Sequence, residues 1–263
     1  MARFRRAEAG SRSLKGEPAV PSEHIIKIYD KELDRLNKML LEMGGLAETQ
    51  LAAAIESVSR RDTELASKVI DADTKADQLE RDIDDLVVRH LALRHPFASD
   101  LRETFVALKI ASDLERICDY AANVAKRAIP LSQTPPIQPI HALLPMGRLA
   151  LLLIKDVIDA YLTRDADKAL DVWVRDRELD QFNADLFRVL LTYMMEDPRS
   201  IGACTHLLFI AKNIERVGDH ATNIAENVYY LVHGIPLDGI RPKADKSSLE
   251  VVEPKRPAKG GFR

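Results

Sequence analysis

Cysteine is nearly absent: Cys118 and Cys204 are the only two in 263 residues, far apart and outside any CxxC or Cys/His cluster. That excludes a disulfide framework or a thiolate zinc site and suits a reducing cytoplasm. No Glu-x-x-His occurs, so a ferritin-like di-iron centre lacks its ligand pattern. A phosphate loop, a nucleophile elbow and a dinucleotide fingerprint are missing too, and nothing points to catalysis. Long apolar runs are also lacking. The longest, LALLLI at 149–154, stops at Lys155, and the basic opening MARFRRAEAGSRS is not followed by an apolar stretch. Neither a signal peptide nor membrane insertion is expected.

Aromatics make up only 5% of the chain and turn signals are sparse between residues 22 and 233, a composition of long helices packed on one another. The formal charge of -3 hides an asymmetry. Residues 1–20 hold five Lys/Arg against two acids, residues 241–263 hold seven against three, and the middle is therefore strongly acidic. An acidic body argues against nucleic acid as a ligand, and the tails read as solvated disorder.

Apolar residues recur at three/four spacing from Ile25 to Val58, which predicts one long amphipathic helix. Arg61-Asp62 breaks it, with Asp62 as the cap of a second helix running to about Arg94. His95-Pro96 ends that helix, and a third runs from Phe97 to about Ile129. Pro130, Pro135, Pro136 and Pro139 are then expected to form a linker without helix continuity. The phrase repeats: a helix from about His141 to Leu162, a cap at Asp165, a helix to about Met195, a turn at Pro198, and a last helix to His233-Gly234. The expected fold is all-α, two consecutive antiparallel three-helix bundles at 22–130 and 141–235, joined by a linker at 131–140 and flanked by disordered basic tails at 1–21 and 236–263.

Laying 108–125 over 208–225 gives nine identities in eighteen positions, among them Glu115/Glu215, Arg116/Arg216, Asp119/Asp219 and Asn123/Asn223. The preceding helices match at a shift of 103, pairing Asp73 with Asp176 and Asp77 with Asp180. An internal duplication explains both.

The duplicated positions carry an unfavourable pattern. Asp73/Asp77, Glu115/Asp119, Asp176/Asp180 and Glu215/Asp219 are like-charged pairs four residues apart, each costing about 0.2–0.5 kcal/mol on a helix. Asp77 and Glu115 each lie 19 residues from Pro96, so they come level in an antiparallel hairpin, and Asp73 and Asp119 come level one turn on. The second hairpin repeats this about Pro198. Four level carboxylates, with the amide of Asn123 or Asn223 a turn beyond, suit a hard cation held partly through water. The plainer alternative is a charged surface neutralised by Arg116, Arg216, Lys109, Lys212 and solvent.

The stretch LALRHPFASDLRETFVALKIASDLERICDYAANVA at 91–125, with LLTYMMEDPRSI and IERVGDHATNIAENVYYLVHG at 190–234, resembles the PhoU family of bacterial phosphate-signalling regulators. The resemblance spans about residues 22–237. It implies a non-enzymatic, often dimeric protein that dampens high-affinity phosphate uptake and holds the phosphate-starvation response off, acting with the phosphate ABC transporter ATPase and a sensor histidine kinase. It also implies that Mg, Mn, Fe or Zn ions could sit on the acidic faces, with Asp73, Asp77, Glu115, Asp119 and Asn123, then Asp176, Asp180, Glu215, Asp219 and Asn223, as ligands. A metal-storage protein is the competing reading, and a coiled-coil scaffold a third. Cys118 departs from the family pattern, which usually has glycine there, and its larger side chain is expected to alter the helix approach in the first bundle.

Overall fold

The computed structural model describes residues 23–94 and 98–239, and every regular element in them is helical. Six long helices follow one another: α1 (Glu23–Arg60), α2 (Thr63–Arg94), α3 (Ala98–Ser132), α4 (Leu143–Thr163), α5 (Ala166–Glu196) and α6 (Ile201–His233). The two three-helix bundles are α1 to α3 and α4 to α6. The basic tails expected at the two ends lie outside the described residues, apart from 236–239, and so does the turn at 95–97.

The helices stand where local signals put them. Asp62 Oδ1 accepts from the backbone N–H of Leu65 at 2.9 Å, and Asp165 Oδ1 from that of Lys168 at 2.9 Å, so both expected caps satisfy an orphan donor of the helix they open. The residue before each cap, Arg61 and Arg164, is left-handed at φ 57° and 55°. Two arginines hold this unfavourable backbone because their guanidinium groups tie the turn down: Arg164 to Glu103 on α3, and Arg61 to the carbonyls of Ser132 (2.6 Å) and Thr134 at the end of α3. Gly234, at φ 74°, ends α6.

One expectation fails at Pro130. It does not begin the linker; it sits inside the last turn of α3, which runs on to Ser132. A proline in the last turn still forfeits one backbone hydrogen bond, but Leu131 is buried and the Arg61 guanidinium satisfies the terminal carbonyls, so packing overrides the break. The linker is correspondingly short, and residues 138–142 form a 3-10 turn before α4 begins at Leu143, two residues later than expected.

Burial explains the arrangement. On α1 the buried set is one stripe at first, Leu36, Leu40, Met43 and Ala47, and widens to the adjacent pairs Gln50/Leu51, Ala54/Ile55 and Ser57/Val58 in its second half, in keeping with its packing on α4 as well as on α2 and α3. On α3 the buried set runs in adjacent pairs, Val106/Ala107, Ile110/Ala111, Ile117/Cys118 and Ala121/Ala122, too wide an arc for one neighbour. Accordingly α3 packs on α1, α2 and α6, and α6 packs on α5, α4 and α3. Alanines at the repeat pairs Ala111/Ala211, Ala121/Ala221 and Ala125/Ala225, all buried, fit the close approach of these two central helices. The bundles thus share one continuous core, extended where Tyr161 on α4 donates to Asn37 Oδ1 on α1 at 2.6 Å.

Candidate functional site

Each hairpin brings its carboxylates together. In the first, α2 supplies Asp73 and Asp77 and α3 supplies Glu115 and Asp119. Burial chiefly raises the pKa of Asp73, and Asp119 and Asp77 add to it against the pull of Lys126. Glu115 is raised by burial first; Arg116 opposes, and Glu80, Asp119 and Asp77 add further. Arg116 stands 3.5 Å from Glu115 and 3.9 Å from Asp119. Cys118 lies fully buried within reach of all four acids, its thiol pushed well up by burial and then by their charges, so it is no nucleophile.

The second copy is deeper. Asp176 and Asp180 on α5 are each 1% exposed and Glu215 on α6 is 4% exposed, while Asp219 is half-buried. Burial drives the Glu215 pKa up to about 7; the hydrogen bond from Lys212 opposes this, and Asp219 and Asp180 add to the rise. Lys212 Nζ is 2.8 Å from Glu215 Oε2.

Gly218 accounts for the difference between the copies. A Cβ built there would stand 2.2 Å from Asp176 Oδ1 and 2.6 Å from Leu179 Cδ2, so the Asp176 carboxylate occupies the room that the glycine leaves. In the first copy Cys118 fills the equivalent place, and Asp73, the counterpart of Asp176, stays half-buried.

The asparagines stand differently from the acids. Asn223 Nδ2 donates to Asp113 Oδ1 on α3 at 3.2 Å; Asn123 Oδ1 takes a long contact of 3.5 Å from Lys126 Nζ on its own helix and lines a cleft with Asn213 and Arg216 of α6, so both border the α3/α6 junction. His220 also serves that junction, with Nδ1 2.8 Å from Asp113 Oδ1 and its ring against Tyr120. Two members of the acidic faces escaped the sequence reading. Glu80 raises Glu115, and its repeat partner Asn183, 103 residues on, is 6% exposed. The spacing Asp73, Asp77, Glu80 continues one helix face and was the signal for both.

Among the described residues no three His, Cys, Asp or Glu side chains converge as a ready cage for a bare ion. The donor set nevertheless fits a hard cation. It is all oxygen, burial and then the neighbouring acids raise the pKa of Asp73, Glu115 and Glu215, and a cation would relieve that repulsion with water completing its shell.

With this geometry established, comparison with known proteins identifies the chain. The model of the PhoU domain matches residues 40–128 and again 143–228, one match for each hairpin and its carboxylates. The chain belongs to the PhoU family. It is 47% identical over 225 residues to the phosphate-specific transport system accessory protein PhoU homolog of Caulobacter vibrioides, covering 85% of this chain and 98% of that one. The homolog of Rhizobium meliloti is 47% identical over 226 residues, with 86% and 95% covered. Among solved structures, PhoU from Pseudomonas aeruginosa superposes with a TM-score of 0.76 at 40% identity, covering 79% of this chain and all of the other. No helix among the described residues is long and apolar enough to cross a membrane.

Proposed function

We propose that this PhoU protein is a non-enzymatic cytoplasmic regulator of phosphate homeostasis, a homodimer that represses high-affinity phosphate uptake and phosphate-starvation signalling by bridging the phosphate ABC transporter ATPase and its sensor histidine kinase. The observation that carries this reading is the match of both hairpins to the PhoU domain, in a chain that covers nearly the whole of relatives described as accessory proteins of phosphate-specific transport. The absence of any catalytic motif agrees with a regulator that works by contact.

The acidic faces serve this role as cation sites. Asp176, Asp180, Glu215 and Asp219 would hold a divalent or iron ion in the second bundle, and Asp73, Asp77, Glu115 and Asp119 one in the first. A bound ion supplies positive charge that keeps level carboxylates on neighbouring helices ionised. Without it, Lys212 and Arg116 carry part of that task from the same helices.

Deleting the gene is expected to derepress phosphate-transport genes in phosphate-rich medium, read by transcript levels, with repression restored by the wild-type gene. Unchanged transcript levels would overturn the regulatory reading.

A further inference from the structure

The duplication creates two clefts on either side of the α3/α6 junction, and they carry opposite charge. The first, about 610 Å³, is lined by the acids Asp113 and Glu226 against one cation, Lys109, and is net acidic. Both acids are engaged there: Asp113 by His220 and Asn223, and Glu226 by the Trp173 indole N–H at 2.9 Å. The second, about 500 Å³, is lined at the corresponding positions, 100 residues away, by Asn213 in place of Asp113, Lys126 in place of Glu226 and Arg127 in place of Asn227. Arg216 joins them, and no acid lines this cleft.

Three features set this cleft apart from an ordinary basic surface, although Lys126 and Arg216 are exposed. First, among the described residues no carboxylate lies within ion-pair distance of Lys126, Arg127 or Arg216. The repeat partner Arg116, by contrast, is paired with Glu115 and Asp119. Second, both guanidinium groups are positioned by rings, Arg127 at 3.9 Å over Phe209 and Arg216 at 5.7 Å over Tyr120, which orients their donors without neutralising them. Third, the Nδ1 atom of His206 in the cleft wall is buried and has no hydrogen-bond partner among the described residues, and the amides of Asn123 and Asn213 stand beside it.

We propose that this cleft binds a phosphate oxyanion, either free or as the terminal phosphoryl group of a larger molecule, clamped by Arg127, Arg216 and Lys126 with the two asparagine amides as neutral donors. Two guanidinium forks and an ammonium around an acid-free concavity match the geometry and charge of a tetrahedral dianion. The inference goes beyond the regulatory reading and does not depend on it. The cleft is set apart from the acidic faces in charge, although Asn123 and Lys126 border both.

The test is calorimetric titration of chelator-treated full-length protein, so that no metal bridges the ligand, with inorganic phosphate and separately with phenyl phosphate, each against chloride at matched ionic strength. Saturable binding of either ligand is expected. Binding of inorganic phosphate identifies the free ion as a source, and binding of phenyl phosphate alone identifies a phosphoryl group on a larger molecule. Arg127→Gln with Arg216→Gln is expected to weaken binding roughly a hundredfold, since each of the two lost charged hydrogen bonds is worth about a factor of ten. Lys126→Glu places the acid of the sister cleft at an exposed position and reads the same loss if the double variant fails to fold. No binding above the chloride control, or undiminished binding in the folded variants, would overturn the proposal.

Discussion

Replacing Gly218 with cysteine is expected to destabilise the protein by about 1–3 kcal/mol, lowering its melting temperature by roughly 2–4 °C for each kcal/mol. Helix propensity alone predicts the opposite sign, because glycine inside a helix is worth about 0.5–1 kcal/mol less than a residue with a Cβ. The structure reverses it. The new Cβ would meet Asp176 Oδ1 at 2.2 Å, and the neighbouring Leu179 at 2.6 Å closes the other direction. Asp176 would have to leave a place where it is 1% exposed, taking one of the four carboxylates out of the second face. Gly45 is the control: nothing lies within 4 Å of a Cβ there, so Gly45→Ala should raise stability by the helix-propensity amount. Thermal melts of both variants in chelator decide the matter, and a stabilised Gly218→Cys would show that the glycine is not holding room for Asp176.

Glu215→Gln is expected to stabilise the metal-free protein, and the gain should grow with pH. Glu215 ionises near pH 7 in the folded chain, against an ordinary 4.5 when unfolded, so the folded state holds its proton more tightly. Its stabilising contribution is complete below about pH 4.5 and is lost as the pH rises through 7. The neutral amide removes that loss. The expected advantage of the variant is about 1 kcal/mol at pH 5.5 and about 3 kcal/mol at pH 8, from the offset between the two ionisation constants. Denaturant unfolding at the two pH values measures it. An advantage that does not increase with pH would show that Glu215 is already compensated when no metal is bound.

The parts of the fold legible in the sequence are those set by local chemistry. Asp62 and Asp165 mark helix starts because a side-chain oxygen three residues before an orphan N–H has a single job, and Gly234 marks an end because its backbone is left-handed. Pro130 misled because the hydrogen bond that a proline forfeits is outweighed by what anchors that end of the helix. Here Leu131 and the distant Arg61 do so. Counting residues from the turns gave the level of each carboxylate but not its depth. Asp73 and Asp176 occupy equivalent positions, and only the packed structure shows that Cys118 excludes one while Gly218 admits the other. Asn223 was read with the acids because it lies one turn beyond Asp219; its bond to Asp113 on α3 depends on the α3/α6 packing, which no repeat within a single bundle reveals. The lost charge at Asp113/Asn213, within the aligned copies, and the reversal at Lys126/Glu226, one residue beyond them, acquire meaning only once each set lines its own cleft.

The central claim is that the paired acidic faces hold cations, and the most direct test is calorimetric titration of manganese into chelator-treated protein at pH 6 and pH 8, for the wild type and for Asp176→Asn with Asp180→Asn. Saturable binding is predicted, tighter by about tenfold at pH 8 because the ion must displace the proton that Glu215 holds up to about pH 7, and much weaker in the variant. Absence of binding at either pH, or binding that the two asparagines leave unchanged, would contradict the account.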